Sequence, residues 1–314
     1  MIFFNFQGFK ALDEILTLCK YNVSMSTPDV QKLRPAIEAI TRDAGDVIMQ
    51  HYKNGTKEYT KTDGSIVTDA DHAAEKLILE RLRQLTPNIP IVSEEAAEAG
   101  DIPDTSGGTF WTVDPLDGTK EFTNRTGAFV VAIALVVDHK PVMGVIYHPA
   151  FDLMYVGTLP GISEKIDTSG TRVQLPAGTP PAKGVRVVLN ETSVEIDKAK
   201  GYLSQQFGKA AKIDPKSGIL RACQVADNIA DVSLVHPKRR EGRTKWWDIA
   251  PGHAIVEAAG GKVMGIDGKP LTYDAPDLMV PPHVCLSPRH VQKHGPLKTP
   301  MPGEKAPPKK KNAL

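Results

Sequence analysis

Cysteine is scarce in this chain, and long apolar runs are missing. The three cysteines, Cys19, Cys223 and Cys285, are odd in number and far apart, so they offer neither a disulfide framework nor a zinc site. No stretch approaches the roughly 18 consecutive apolar residues that a transmembrane helix needs. We therefore expect a cytoplasmic protein, in a reducing compartment, that does not enter a membrane.

An excess of charge of either sign is also missing. The 314 residues carry 38 basic and 37 acidic side chains, a formal net charge of +1. Nothing in this balance argues for a surface that binds nucleic acid. The hydrophobic share of 41% and the charged share of 24% are those of an ordinary globular protein. The length allows one large domain or two subdomains that share a core.

The two ends of the chain differ in composition from its middle. Residues 1–26 lack the basic start and the small-residue cleavage site of a signal peptide, so we expect a non-catalytic N-terminal extension. Residues 298–314 are rich in proline and lysine and are expected to be disordered. A Gly/Pro/Thr-rich connection over 157–184 predicts a boundary between an N-terminal α+β subdomain with the metal site (27–160) and a C-terminal α/β subdomain (161–297).

The most informative stretch is Trp-Thr-Val-Asp-Pro-Leu-Asp-Gly-Thr-Lys-Glu-Phe, residues 111–122. Its first three residues predict the end of a buried strand, which Pro115 is expected to terminate. Asp114 and Asp117 follow on a stiff turn, so both can point at one cation, and the carbonyl of Leu116 between them can supply another oxygen. Ligands that are all oxygen suit a hard cation such as Mg²⁺.

The residues after this turn favour an anion. Gly118 and Thr119 are expected to open a helix, where backbone N–H groups attract a phosphate. Ligands for a cation and a site for a phosphate would then lie within six residues, 114–119. An Asp-Pro-x-Asp-Gly string is also a good turn sequence in its own right, so the stretch alone leaves a purely structural role open.

Three further carboxylates lie where they could return to the same cleft. Asp71 follows Thr68 at the spacing of a helix capping box, Glu94 ends a short apolar run beside Glu95, and Asp248 opens a helix rich in small residues. Each has a structural alternative: helix-start electrostatics for Asp71, a solvated face for the two glutamates, and N-capping for Asp248.

Four motifs in this order and spacing resemble the inositol monophosphatase superfamily of metal-dependent, lithium-sensitive phosphatases. They are Val67-Thr68-x-x-Asp71, Ser93-Glu94-Glu95, Asp114-Pro-Leu-Asp-Gly-Thr119 and Trp247-Asp248. The resemblance covers roughly Leu33 to Ser287 and implies a layered α/β/α/β/α sandwich, with the site between the subdomains. Within the superfamily, residues 61–68, 89–95, 114–122 and 268–273 are most similar to the 3′(2′),5′-bisphosphate nucleotidases of the CysQ type, and Lys120-Glu121-Phe122 is the most telling part.

The resemblance also implies roles for single residues. The implied ligands of Mg²⁺ are Glu94, Asp114, Leu116 through its carbonyl, Asp117 and Asp248. The implied catalytic residues are Asp71, Thr119 and Glu94, of which Asp71 and Thr119 would orient the attacking water. The implied contacts to the substrate are Leu116, Asp117, Gly118, Thr119 and Asp248.

We therefore predict a Mg²⁺-dependent phosphatase that hydrolyses the 3′-phosphate of 3′-phosphoadenosine 5′-phosphate, giving AMP and phosphate, in sulfur assimilation or nucleotide recycling. The partner is a small phosphate ester, and the enzyme is expected to be a monomer or a homodimer. Direct attack by water is expected, because no Ser/His/Asp or Cys/His set with suitable spacing occurs. The alternatives are an inositol monophosphatase or other sugar-phosphate phosphatase of the same fold, and an inactive homologue that binds a metabolite.

The second phosphate of a bisphosphate substrate needs a cationic partner. The candidates are Arg221, Lys238, Arg239, Arg240 and Lys245. An arginine is preferred because its guanidinium can bind a phosphate through two hydrogen bonds, and Arg221 is the first choice. Two departures from the family pattern, at Asn190-Glu191 and at Ser217 to Arg221, fall on the substrate side and bear on the preference for a nucleotide.

Overall fold

A computed structural model describes residues 28–62, 64–178, 185–189, 211–215, 218–235 and 244–296. All structural statements below concern these residues. The predicted N-terminal extension and C-terminal tail lie outside them, as do Asp63, the departure at Asn190-Glu191, and three of the predicted phosphate partners, Lys238, Arg239 and Arg240.

The first part of the chain builds the larger of two main sheets. Its elements are α1 (Val30–Asn54), β1 (Glu58–Thr60), β2 (Ile66–Thr68), α2 (Asp69–Leu85), β3 (Ile91–Ser93), α3 (Glu94–Glu98), β4 (Phe110–Asp117), α4 (Thr119–Thr123), β5 (Val130–Val137), β6 (Lys140–His148), a 3-10 turn (Pro149–Phe151), β7 (Leu153–Thr158), β8 (Ile162–Ile166) and β9 (Arg172–Gln174). Strands β3 to β9 lie side by side in chain order and form the large sheet. The β3–β4 pair is parallel and the other pairs are antiparallel.

The second part builds a smaller sheet. Its elements are β10 (Val185–Leu189), β11 (Ala211–Pro215), α5 (Leu220–Ala226), β12 (Val232–Val235), β13 (Thr244–Lys245), α6 (Trp246–Ala258), β14 (Lys262–Gly265), β15 (Met279–Val280), β16 (His283–Leu286) and α7 (Pro288–His294). The small sheet has the order β11-β10-β12-β16-β14, and the pairs β1–β2 and β13–β15 form two short ribbons.

Strand β5 shows how the layers are arranged. Side chains alternate between the two faces of a strand, and all of β5 is buried. Ile133 and Leu135 pack on one side with α1 and α2. Ala132 and Ala134 pack on the other side with α6 and the inner face of the small sheet. The small side chains on this second face leave room for a helix between the two sheets.

Helix α6 lies close to the large sheet because two strand positions carry no side chain. A Cβ at Gly144 would lie 2.1 Å from the carbonyl oxygen of Pro251, and a Cβ at Gly157 would lie 2.5 Å from the Cα of Ile255. Helices α5 and α6 form the middle layer, and Val291 of α7 packs on the outer face of the small sheet. The order is therefore helix, sheet, helix, sheet, helix, and the predicted layered sandwich is confirmed.

The predicted division of the chain at residue 160 falls between β7 and β8. Both strands belong to the large sheet, which continues to Gln174, so this division does not coincide with a boundary between sheets. No helix in the described ranges is long and apolar enough to cross a membrane.

Candidate active site

An irregularity in strand pairing brings Asp114 and Asp117 to the same face of β4. Asp114 pairs with Ala132 of β5 and Asp117 pairs with Val130, so β4 has one residue more than β5 between these pairs. One extra residue in one of two paired strands defines a β-bulge, which changes the direction of the side chains that follow it. In a regular strand, side chains three residues apart face opposite sides. The prediction that Pro115 ends the strand was wrong, because β4 continues to Asp117.

Asp114 lies among the other acidic side chains. It is 1% exposed, and its Oδ1 accepts a hydrogen bond of 3.0 Å from the N–H of Leu116. Burial raises the pKa of Asp114 well above its usual value, and the carboxylates of Glu94, Asp117 and Asp248 raise it further. Buried carboxylates that oppose one another's ionisation are relieved by a bound cation.

Asp71 is fixed in the first turn of α2 by the predicted capping box. Its Oδ2 accepts hydrogen bonds from the N–H of Thr68 at 2.8 Å and from the Thr68 hydroxyl at 2.7 Å. The Thr68 oxygen in turn accepts from the N–H of Ala70. The other carboxylate oxygen, Oδ1, accepts a hydrogen bond of 3.1 Å from the hydroxyl of Thr119. The capping role of Asp71 is confirmed, and its contact with Thr119 leaves the predicted site role open beside it.

Gly118 shapes the turn between the two aspartates and α4. Its φ of +94° is in the left-handed region, which glycine adopts without strain. A Cβ there would also lie 2.9 Å from the carbonyl oxygen of Ala128. Helix α4 begins at Thr119, as predicted, so the N–H groups of Gly118 and Thr119 lie directly after the acidic turn.

Glu94 opens α3 next to a lysine to which the sequence analysis gave no role. The Nζ atom of Lys61 lies 2.8 Å from Glu95, 2.8 Å from Glu98 and 3.8 Å from Glu94. Burial raises the pKa of Glu94 well above its usual value, Asp248 raises it further, and Lys61 opposes this. Glu95 thus pairs directly with Lys61, while Glu94 interacts with Asp114 and Asp248, which together with Asp71 and Asp117 form the acidic group of the site.

Asp248 enters the site from the opposite side of the cleft, on α6. The helix begins at Trp246 and has Lys245 at its N-cap, so the alternative in which Asp248 is an N-cap is wrong. Burial raises the pKa of Asp248 to about 7 and Asp117 adds to this, whereas Arg221 and Lys245 lower it. Its carboxylate accepts no hydrogen bond from a residue in the described part of the chain.

Arg221 lies in α5, behind the two aspartates. It is 9% exposed, and its Nε donates a hydrogen bond of 3.1 Å to the carbonyl of Gly218. Burial lowers the pKa of Arg221, and the nearby charges of Asp117 and Asp248 oppose that effect. The N–H of Ile219, at the start of the same segment, donates to Asp117 Oδ2 at 2.9 Å. The two sides of the cleft are therefore tied together at Asp117.

The donor atoms fit a hard cation. Asp114 and Asp117 each use one carboxylate oxygen to accept a backbone hydrogen bond, which leaves the second oxygen of each without one among the described residues. No three acidic, histidine or cysteine side chains within those residues already form a metal-binding group, so a cation would have to draw them together. An oxygen-ligand cation site beside an anion-binding turn is the arrangement of a metal-dependent phosphatase.

Comparisons with known proteins agree with this class. The inositol monophosphatase family model matches residues 29–295. The 3′(2′),5′-bisphosphate nucleotidase CysQ of Salmonella typhimurium is 43% identical over 239 residues, which are 74% of this chain and 91% of the relative. CysQ of Escherichia coli K12 is 40% identical over 239 residues, with the same coverage. The crystal structure of CysQ from Bacteroides thetaiotaomicron covers 80% of this chain and 95% of its own, with 29% identity and a TM-score of 0.66.

This chain belongs to the inositol monophosphatase family. The resemblance that the four motifs indicated is confirmed, and members of this family are metal-dependent phosphatases. In the structure, electrostatic interactions connect Asp71, Glu94, Asp114, Asp117, Asp248 and Arg221, and a hydrogen bond connects Thr119 to Asp71. Lys61 is the residue near the site that sequence reasoning missed. The sequence could have indicated this lysine, because Lys61 opens the Lys-x-Asp-Gly-Ser segment at 61–65, which is part of the family resemblance.

Proposed function

We propose that this protein is a Mg²⁺-dependent 3′(2′),5′-bisphosphate nucleotidase that removes the 3′-phosphate of 3′-phosphoadenosine 5′-phosphate and yields AMP and phosphate. The observation that carries the proposal is the 40% and 43% identity to CysQ nucleotidases over 91% of their length. The acidic group around Asp114 supports it, because an enzyme that splits a phosphate monoester has to stabilise a large build-up of negative charge.

The proposed cation ligands come from both sides of the cleft. They are Glu94, Asp114, the carbonyl of Leu116, Asp117 and Asp248. When Mg²⁺ is bound, it supplies the Lewis acidity that promotes ionisation of water and neutralises charge on the phosphate. The chain's own contribution is to hold these oxygens at a largely buried site, where reduced contact with bulk water strengthens each electrostatic interaction.

Asp71 and Thr119 are proposed to orient the attacking water and to take its proton. The Thr119 hydroxyl donates to Asp71 Oδ1 at 3.1 Å, so its oxygen is left free to accept a hydrogen bond from water. Asp71 cannot turn away, because the capping box holds its other oxygen. Burial raises the pKa of Asp71, and hydrogen bonds from Thr68 oppose this. A carboxylate with a raised pKa is a better proton acceptor.

The two phosphates of the substrate are proposed to bind at different places. The N–H groups of Gly118 and Thr119, together with Leu116, Asp117 and Asp248, would contact the scissile phosphate and its cation. Arg221 and Lys245 are the predicted cations for the second phosphate that lie within the described ranges. Lys245 lies over the ring of Trp247, 5.3 Å from its centroid, beside the start of α6. Binding energy from the second phosphate can help to position the first.

We further propose that the enzyme works in the cytoplasm as a monomer or homodimer. Cys223 and Cys285 are buried free thiols, which a reducing compartment would preserve.

The test is a comparison of kcat/KM for 3′-phosphoadenosine 5′-phosphate, AMP and inositol 1-phosphate. We expect the bisphosphate to be preferred and all activity to be lost in excess chelator. Li⁺ should inhibit at concentrations where K⁺ at the same ionic strength does not, as in the family that the chain belongs to. A preference for inositol 1-phosphate would establish the alternative, and full activity in chelator would contradict the proposed metal site.

A further inference from the structure

A small cavity lies behind Asp248, between the small sheet and helices α5 and α6. The space open to the centre of a water molecule is about 20 Å³. A single water needs roughly 10–15 Å³ on that measure. The polar residues that line the cavity include Arg221, Ser233, His283 and Asp248. The cavity is therefore both large enough and polar enough to hold one water molecule.

The pairing of β12 with β16 places two of these side chains next to each other. Ser233 lies opposite Cys285, and Val235 lies opposite His283. Opposite residues share a face of the sheet, and so do residues two apart. Ser233 and His283 are therefore diagonal neighbours on the inner face, which Arg221 on α5 helps to cover.

Three polar atoms from these residues have no hydrogen-bond partner in the described ranges. They are Arg221 Nη1, Ser233 Oγ and His283 Nε2, and all three are buried. Ser233 is 1% exposed and His283 is not exposed at all. Buried polar groups in folded proteins almost always bond to protein or to ordered water, so three such atoms around one cavity point to a shared partner.

The hydrogen-bonding character of the three atoms identifies that partner. His283 Nδ1 lies 3.0 Å from the carbonyl of Pro281, and a carbonyl only accepts, so Nδ1 carries the hydrogen. Burial lowers the pKa of His283 to about 4, which keeps the ring neutral and leaves Nε2 as an acceptor. Arg221 Nη1 can only donate. Water can accept from Arg221 and donate to His283, whereas an anion such as chloride cannot donate.

We propose that Arg221, Ser233 and His283 hold one buried water molecule, and that this water positions the guanidinium of Arg221 behind the metal site. The Nε bond to the carbonyl of Gly218 fixes the other side of the group. This inference rests on the proposed metal site and is independent of the preference for a nucleotide.

The role of the water follows from the charges around Arg221. The carboxylates of Asp117 and Asp248 both raise the pKa of Arg221 and so stabilise its charge. If the water were lost, Nη1 would turn towards these carboxylates and pair with them directly. The guanidinium would then compete with the cation for the same oxygens. Arg221 is thus a positioning residue for the metal ligands, which leaves its other N–H groups available to a phosphate.

The first test is a crystal structure of the full chain at near-atomic resolution. We expect one density peak within hydrogen-bonding distance of Arg221 Nη1, Ser233 Oγ and His283 Nε2. Crystals grown with bromide in place of chloride separate water from an anion. An anomalous peak in the cavity, or no peak at all, would overturn the proposal, and neither result depends on catalytic activity.

The second test is the affinity for Mg²⁺, measured by calorimetry and by the Mg²⁺ dependence of phosphate release. We expect His283→Leu to weaken Mg²⁺ binding roughly threefold to tenfold, since it removes one hydrogen bond that orients a charged group. His283→Gln keeps an acceptor near Nε2 and should restore most of the affinity. Ser233→Ala should act in the same direction as His283→Leu and serves if that variant does not fold.

The matched control is His148→Leu. His148 is also buried, its Nδ1 also lacks a partner among the described residues, and it lies on β6 in the large sheet. This variant should leave the affinity for Mg²⁺ unchanged. If folded His283→Leu binds Mg²⁺ as tightly as wild type, or if it keeps the water, Arg221 is not positioned in this way. If wild type shows no phosphatase activity, the proposed function is refuted, and the crystal structure still decides whether the water is present.

Discussion

On the large-sheet side of the cleft, Asp71 and Asp114 are held by N–H groups of their own segments. Asp71 accepts from Thr68 three positions earlier, and Asp114 accepts from Leu116 two positions later. On the other side, Asp248 accepts no hydrogen bond from the described residues, and its position is set by the packing of α6 between the two sheets. For these three carboxylates, the large-sheet side is organised locally and the α6 side by tertiary structure, while Asp117 is held from across the cleft by the N–H of Ile219.

This difference has an energetic consequence. A carboxylate that accepts a hydrogen bond keeps part of its stabilisation when it leaves water, whereas one that accepts none does not. Without a cation, ionised Asp248 therefore opposes folding, and the proposed Mg²⁺ would relieve that cost on binding. Stability and metal binding are linked most directly on the side that lacks local hydrogen bonds.

The largest effect should come from the centre of the locally organised side. Asp114→Asn should lower kcat/KM on the order of 10³-fold or more, because it removes a buried charge from the cation site. The measurement is phosphate release at saturating Mg²⁺, with circular dichroism to confirm folding. Asp43→Asn, at a partly exposed ion pair with Arg81, is the control and should behave like wild type. Activity within tenfold of wild type in Asp114→Asn would show that Asp114 is not a ligand.

The next largest effect separates two adjacent glutamates. Glu94→Gln should lower kcat/KM by about 10²-fold to 10³-fold, since Glu94 interacts with the acidic group. Glu95→Gln should stay within about tenfold, because Glu95 pairs with Lys61 at 2.8 Å and Glu98, also 2.8 Å from that Nζ, keeps the lysine paired in the variant. Each variant controls for the other. The reverse order of effects would assign the metal to Glu95.

The locally organised side is also the one that the sequence predicts well. The capping box at Thr68 and Asp71, the left-handed Gly118 and the start of α4 at Thr119 all depend on residues within a few positions of each other. Local hydrogen bonds and backbone preferences decide such features. The paired aspartates were predicted for the same reason, although the β-bulge that aligns them was not. A bulge depends on the partner strand, which sequence spacing does not specify.

The opposite side required the structure. Trp246 and Trp247 gave no sign that α6 begins at Trp246, because their helical state comes from burial between two sheets. On the large-sheet side, the contacts of Lys61 with α3 also required the structure, because they cross 34 and 37 positions. The closeness of Ser233 and His283 follows from the register of β12 and β16. Tertiary packing of this kind overrides local propensity.

A change in the packing of α6 should affect the side of the cleft that carries Asp248 more than the large-sheet side. Gly144→Ala would place a Cβ 2.1 Å from the backbone of Pro251, so α6 would have to shift. We expect the free energy of unfolding to fall by about 1–3 kcal/mol, together with weaker Mg²⁺ binding through displaced Asp248. Urea unfolding and calorimetry measure the two effects. Gly107→Ala, where a Cβ meets nothing within 4 Å, is the control.

The smallest effect tests the linkage between folding and charge at Asp248. Its folded pKa of about 7 lies above the ordinary 3.8, so its contribution to stability is complete below about pH 4 and is lost as pH rises through about 7. Asp248→Asn removes the ionisable group. In chelator at pH 8, the free energy of unfolding of this variant should therefore exceed that of wild type by on the order of 1–2 kcal/mol. The variant should nevertheless lack phosphatase activity.

The pH dependence of this gain in the free energy of unfolding is the more specific test of the role of Asp248. The advantage of Asp248→Asn in urea unfolding should be small near pH 4, should grow up to about pH 7 and should then level off. Saturating Mg²⁺ should reverse it, because wild type alone gains the full binding energy of the cation. Asp43→Asn should show no such gain. If Asp248→Asn is no more stable than wild type in chelator at pH 8, then ionised Asp248 is already compensated by the protein, and the contrast between the two sides of the cleft does not hold.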